Sequence, residues 1–406
     1  MLNNNLKLRL ITLFVQNTST IAVLPFMALL LTENSGAKIA GVVLFCGTII
    51  KFISTIIGGY WIDIVRSKNK FVCYISFLNG CLFLIMGILT MYLNYQATIP
   101  IFICFYLITE ITMAIARPAY NTITLYFINS NNRTIYSKWK YWISNSSLAL
   151  GMMLGGLLYE NFKFILFFSV FIALTINAII FLYLIKDVII EDIDQKNDSY
   201  ISRILNSYKV SIKNTMYVKC LIAGVLILSA EFAMPSYVSV RLANSFEESI
   251  IFNLKLSGVK IYSILMIINT TMVVFFSFMI LKIITNINLV RRVFLSGFLY
   301  AFGYFFVISS NNLILLLISM VVATIGEIIF SPLYESEKIK MIPKDKRGIY
   351  SALDGLSSTL SQLMARCYLI LSSFLSPLHI AITILLLVTL GFLILSNVTI
   401  KNQALH

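Results

Sequence analysis

The chain has 406 residues, 59% hydrophobic and only 12% charged, with a mean hydropathy of +0.89 and a formal net charge of +14. A soluble domain carries roughly 25% charged residues, so a soluble fold is excluded; long apolar runs without ten-residue alternation exclude a spanning β-barrel. The cations gather in short segments between the runs, so the positive balance reads as membrane topology and not as nucleic-acid binding.

About 20 apolar residues cross a bilayer. Twelve such runs are predicted as helices, near 9–31, 39–62, 71–93, 98–126, 139–159, 164–185, 218–242, 258–281, 293–309, 313–334, 350–375 and 379–399. Alternate connections are basic, with Arg66, Lys68 and Lys70 after the second run and Arg133 and Lys138 after the fourth. Arg291, Arg292 and the stretch from Lys338 to Arg347 continue that alternation. The positive-inside rule then places both termini in the cytoplasm. The longest polar stretch follows the sixth run and opens with the acidic Glu191-Asp192-Ile193-Asp194. It divides the chain into an N-terminal six-helix bundle over 1–186, a cytoplasmic linker over 187–217 and a C-terminal six-helix bundle over 218–406. The first run is too long for a secretory signal and lacks a small-residue cleavage site.

The two halves echo one another. Arg117-Pro118-Ala119-Tyr120, followed by Arg133-Thr134-Ile135-Tyr136-Ser137, returns as Ser331-Pro332-Leu333-Tyr334 and Arg347-Gly348-Ile349-Tyr350-Ser351, 214 positions later. Pro25 followed by Asn34-Ser35 returns as Pro235 followed by Asn244-Ser245, 210 positions later. A period this long is too great for a solenoid and points to two homologous halves.

Three segments resemble the major facilitator superfamily. Gly59-Tyr60-Trp61-Ile62-Asp63-Ile64-Val65-Arg66-Ser67-Lys68 is similar to its loop signature, Gly-x-x-x-Asp-(Arg)-x-Gly-Arg-Lys. Gly59, Asp63 and Lys68 match, whereas Ile64 and Arg66 replace the arginine and the second glycine. Gly151-Met152-Met153-Leu154-Gly155-Gly156 resembles the antiporter motif Gly-Pro-x-x-Gly-Gly, with Met152 in place of proline. Arg117 stands where proton-coupled drug exporters often carry an arginine. Leu6 to Leu10, Leu242 to Phe246, and Gly326-Glu327-Ile328 with Ser331-Pro332 are similar to LmrP-type multidrug/proton antiporters. The resemblance covers nearly the whole chain. It implies the twelve-helix, two-bundle fold, proton-coupled export of drugs or amphipathic metabolites by alternating access, and a functional glutamate in the Gly-Glu motif.

Charge inside an apolar run costs roughly 2.5–3.5 kcal/mol on insertion scales, so it is usually functional or paired. Glu327 and Glu231, with Glu110, are the expected proton-coupling residues. Glu327 lies well inside the tenth run beside Gly326, which permits close packing; its alternative role is as partner to Arg366. Glu231 precedes by four residues Pro235, which frees a backbone carbonyl and permits bending; its alternative is a local structural hydrogen bond. Glu110 and Arg117 share one face of the fourth helix, either aimed at a cavity or neutralised through a third group. Asp354, near the cytoplasmic end of the eleventh run, is a further acidic candidate. Arg117, Tyr237 and Lys51 are the expected cavity residues. Gly59, Asp63 and Lys68, with Gly151, Gly155 and Gly156, form the expected gating motifs. Asp63 would accept backbone N–H groups at a helix N-terminus and pair with a cation; its alternative is a solvated loop aspartate.

Lys140 stands where LmrP-type proteins carry an acid, and Lys51 is a further cation. A zwitterionic or anionic substrate such as a metallophore or siderophore is therefore the alternative to a drug, with proton symport a second alternative. Snorkelling of Lys51 and Lys140 to the interface is the other account, and the nearness of Lys140 to a membrane face favours it. The six cysteines show no paired or metal-ligand spacing, and His379 and His406 stand apart, so no metal or cofactor is expected. No Walker motif is present, and no His or carboxylate cluster points to a membrane enzyme. The expected partners are a small-molecule substrate, protons and the lipid bilayer of the cell membrane, with the protein a monomer.

Overall fold

The structure is a computed structural model that describes residues 2–93, 95–129, 132–187, 213–251, 254–342 and 347–405. Most of the expected linker, and the side chains of Asp63 and Asp354, lie outside the described residues. Two compact units form. One comprises Met1–Gly36 and Val43–Lys196, the other Ala37–Val42 and Asn197–His406.

In the first unit α1 (Asn4–Ile21) passes through a 3-10 turn at Leu24–Phe26 into α2 (Met27–Ile64), all of which but Ala37–Val42 belongs to this unit. Pro25 sits in that turn, where its fixed φ and missing N–H interrupt the helix. The helix resumes through Asn34-Ser35 and breaks at Gly36, whose φ of 79° lies in the left-handed region that only glycine adopts cheaply. The break falls between the first two expected runs. Then come α3 (Lys68–Thr90), α4 (Thr98–Phe127), α5 (Arg133–Leu158) and α6 (Lys163–Ile179), the last closing in a π-helical turn at Ile180–Leu184. The apolar faces of α2, α3, α4 and α6 meet around Val72, Ala119, Ile123 and Phe181, all fully buried.

In the second unit α7 (Thr215–Ala233) runs through a π-helical turn at Met234–Val238 into α8 (Ser239–Ser245). Pro235 lies in that turn, so the bend expected there takes the form of one wide turn within a continuous span. The repeat thus has a structural meaning: Pro25 and Pro235 each disturb the first helix of a unit, and Asn34-Ser35 and Asn244-Ser245 each end it. A small antiparallel hairpin, Ser249–Ile251 with Leu254–Leu256, follows and departs from the purely helical expectation. The unit continues with α9 (Gly258–Ile283), α10 (Leu289–Ser309), α11 (Leu313–Lys340), α12 (Arg347–Leu371) and α13 (Pro377–Leu405). Asparagine or serine caps the N-terminus of α7, α9, α10 and α11, its side-chain oxygen accepting an otherwise orphaned backbone N–H. Tyr300, Phe330 and Phe392 join α10, α11 and α13 through ring contacts of 5.3–6.0 Å.

Nine helical stretches among the described residues are long and apolar enough to cross a membrane, one of them, Asn4–Ile62, carrying both of the first two expected runs. The protein is an integral membrane protein. Neither α5 nor α12 is among the nine. The first turns of α5 carry Arg133, Lys138 and Lys140, and α12 carries Ser357, Ser361, Gln362 and Arg366, so each is amphipathic rather than uniformly apolar. Many outward side chains are large and apolar, such as Phe278 at 85% exposure, as a lipid-facing surface requires.

Close glycine contacts hold α5 against α1. A Cβ on Gly151 would lie 2.7 Å from the Thr18 carbonyl oxygen, and one on Gly155 would collide with the Phe26 ring and lie 2.8 Å from the Ala22 carbonyl oxygen. Gly156 is also buried. Gly155→Leu is therefore expected to cost about 1–3 kcal/mol through overpacking, read as a lower unfolding temperature in detergent, whereas substitution at outward-facing Met153 leaves it unchanged.

Candidate functional site

The strongest site lies within the second unit, where α7, α9, α10 and α11 bring polar groups together inside an apolar bundle. Glu231 on α7 and Glu327 on α11 are within electrostatic reach of one another. Tyr300 and Tyr304 on α10 interact with both carboxylates, and their rings lie 4.6 Å apart. The Tyr300 hydroxyl donates to the Ile227 carbonyl at 3.2 Å, which ties α10 to α7 one turn before Glu231.

Asn269 of α9 fixes Glu327. Its Nδ2 donates to Glu327 Oε2 at 2.7 Å and to Thr324 Oγ1 at 3.2 Å. Thr324 in turn donates its hydroxyl to the Met320 carbonyl at 2.7 Å, so its oxygen is left to accept. That orientation commits both amide hydrogens of Asn269 and aims one at the carboxyl group. Glycine makes the arrangement possible. A Cβ on Gly326 would lie 2.5 Å from Tyr300 N, and one on Gly303 would lie 2.5 Å from Ala323 N. The backbones of α10 and α11 therefore touch directly beside Glu327. Among the described residues no ion pair joins Glu327 to Arg366, whose Nε is buried without a hydrogen-bond partner. Arg366 instead interacts electrostatically with Tyr262.

Glu110 and Lys51 meet in the first unit, Lys51 Nζ lying 3.3 Å from Glu110 Oε2. Glu110 thus has a cationic partner from α2, and Arg117 on its own helix is exposed. Removing one member leaves the other charge uncompensated. Lys51→Ala is expected to destabilise by roughly 1–3 kcal/mol, more than the double variant with Glu110→Ala, as thermal unfolding of the two would read. Tyr237 is 2% exposed and its hydroxyl has no hydrogen-bond partner among the described residues; it is packed inside the second unit near Arg241. Arg241 donates to Asn311 Oδ1 at 2.6 Å and to the Val307 and Ser310 carbonyls, closing the C-terminus of α10.

At the loop between α2 and α3, Lys68 is 1% exposed and donates to the Ile62 and Val65 carbonyls, the open end of α2. Asp187 supplies the anion at the N-terminus of α3, accepting from Ser67 Oγ at 2.6 Å and from Asn69 N at 3.3 Å. Asn69 Nδ2 donates to the Phe181, Ile185 and Lys186 carbonyls, holding the end of α6. Gly59 is half-buried. Sequence reasoning missed Asp187, Asn69, Asn269 and Thr324. All four lie at an end or within an apolar helix, where an uncharged or terminal polar residue is commonplace.

Helical spans that enclose ionisable groups, with two carboxyl groups within electrostatic reach inside one bundle, are the arrangement a membrane transporter needs. A family model of the Major Facilitator Superfamily matches residues 9–366, and the chain belongs to that superfamily. Over 379 residues it is 21% identical to a Na(+), Li(+), K(+)/H(+) antiporter of Planococcus maritimus, covering 89% of this chain and 88% of that protein. Solved structures share the fold. The POT family transporter PepTSo matches with a TM-score of 0.73 at 10% identity, over 100% of this chain and 99% of that one. The nucleoside transporter NupG matches with a TM-score of 0.65 at 14% identity, over 97% and 99%.

Proposed function

We propose that the protein is a proton-coupled antiporter that exports small molecules, drugs or amphipathic metabolites, across the cell membrane. The observation that carries this reading is the pair Glu231 and Glu327, two carboxyl groups in electrostatic contact with no cation paired to either among the described residues. Charge inside a membrane bundle without a counter-ion is usually functional, and two carboxyl groups placed together suit the exchange of a proton for cargo. Twelve spans as two six-helix bundles, 1–186 and 218–406, joined by a cytoplasmic linker over 187–217, give both termini a cytoplasmic location. Transport follows alternating access: the site takes up a proton facing outward and releases it facing inward. Glu110 is assigned a lesser part, because Lys51 neutralises it. That pairing also weakens the case for an anionic cargo, since Lys51 is no longer a spare cation and Lys140 is exposed in the early turns of α5.

A second reading is exchange of an alkali cation for protons. It is favoured by the name of the Planococcus relative and by the same unpaired carboxylates. Purified protein in proteoliposomes loaded with a pH-sensitive dye distinguishes the two. Under the first reading, ethidium drives proton movement while NaCl, LiCl and KCl do not. Proton movement with the salts alone overturns drug export in favour of cation exchange, and none with either overturns antiport of both kinds.

A further inference from the structure

We infer that the second unit carries a binding site for the phosphodiester headgroup of an anionic membrane lipid, in a cleft where the ends of α9 and α11 meet the start of α10. The cleft has a volume of about 210 Å³. Its wall is apolar, formed by Leu281, Ile284, Leu289 and Leu333, and its rim is charged, formed by Arg292, Glu337 and Lys340.

Arg292 is held in place by the fold. Its Nε donates to the Ile287 carbonyl at 2.7 Å and its Nη2 to the Thr285 carbonyl, both in the turn between α9 and α10. Its Nη1 has no acceptor among the described residues, so one edge of a fixed guanidinium is left for an anion. Lys340 Nζ lies 2.5 Å from Glu337 Oε1; the lysine side chain is 44% exposed and the glutamate 1%. Two cations and one carboxylate leave the rim with a single net positive charge. One phosphodiester, with one negative charge, balances it. Inorganic phosphate carries more charge and has nothing to lay on the apolar wall.

The location fits a headgroup. The cleft lies where apolar spans end and basic residues gather, with Lys282, Arg291 and Lys338 nearby in sequence. Basic pockets between spanning helices at this level recognise anionic lipid headgroups. An acyl chain has the cleft's own apolar wall of Leu281, Ile284, Leu289 and Leu333 to lie against. Lys338 is engaged elsewhere, with Glu335 at 2.6 Å and over the Tyr334 ring, so the recognition falls to Arg292 and Lys340.

The test uses the full chain in nanodiscs of phosphatidylcholine, with and without phosphatidylglycerol, and counts retained lipid by native mass spectrometry after release into detergent. Wild type is expected to retain phosphatidylglycerol selectively, with a matching rise in unfolding temperature. Arg292→Gln and Lys340→Gln are each expected to weaken retention about fivefold, the ratio of one basic residue at an anionic surface. Leu289→Trp fills the wall and is expected to remove retention without touching a charge; it keeps the test decisive if Arg292→Gln loosens the turn it caps. Equal retention by wild type, Lys340→Gln and Leu289→Trp overturns the assignment. Inorganic phosphate that raises the unfolding temperature as much as phosphatidylglycerol does also overturns it, in favour of a free-anion site.

Discussion

Glu327→Gln is expected to abolish efflux driven by a pH gradient in proteoliposomes while leaving the amount of folded protein unchanged. Glutamine matches glutamate in shape, and its side-chain oxygen still accepts from Asn269, which now lies 2.7 Å from Glu327 Oε2. Packing against Tyr300 is therefore kept. What is lost is the group that takes up and gives off a proton. Substrate counterflow, which needs no net proton movement, is expected to survive in the same vesicles. A sensor or scaffold on this fold would show neither activity in wild type, so the pair of assays separates a transporter from both. Gradient-driven efflux that persists in Glu327→Gln at the wild-type rate would remove Glu327 from the coupling step. Glu231→Gln then becomes the decisive variant, because the two carboxylates act on one another. Asn269→Leu is expected to reduce efflux without abolishing it, since the carboxyl remains but its orientation is no longer held.

The two glutamates were legible because a formal charge inside an apolar run has few explanations. Their company was not. Asn269 and Thr324 are uncharged, and an isolated asparagine or threonine in a membrane helix carries no signal until its partner is known. The Lys51–Glu110 pair shows the same limit in reverse: both residues stood out, but helix periodicity relates Glu110 to Arg117 on its own helix and says nothing of α2. The proline repeat was the most informative pattern. It marked where the first helix of each unit is disturbed, although it could not say that one copy makes a 3-10 turn and the other a π-helical turn. At the loop after α2, the motif drew notice to Asp63 and Lys68. Among the described residues, the anion at the N-terminus of α3 is Asp187, which comes from beyond α6 and belongs to no local pattern. Buried Lys68 binds the end of its own preceding helix, a contact that motif spacing alone does not foretell.

Gly326→Val is expected to lower both stability and transport, in contrast to the charge variant beside it. A Cβ at Gly326 would lie 2.5 Å from Tyr300 N and 2.9 Å from Tyr300 Cα, and backbone atoms cannot turn aside as a side chain can. The opposing Gly303 meets Ala323 in the same way, so α10 and α11 are in backbone contact at two levels. Forcing extra methyl groups between them costs about 1–3 kcal/mol, and more where the backbone must move. Lipid tails are as apolar as the helices, so close packing of small residues holds this pair together more than any hydrophobic drive. Separation of the helices also carries Glu327 away from Tyr300 and Tyr304 and shifts its distance to Glu231. The expected result is a clear fall in unfolding temperature together with loss of gradient-driven efflux and of counterflow. Gly326→Val that unfolds at the wild-type temperature would mean that α10 and α11 are not in contact here, and the placement of Glu327 against α10 would fall with it.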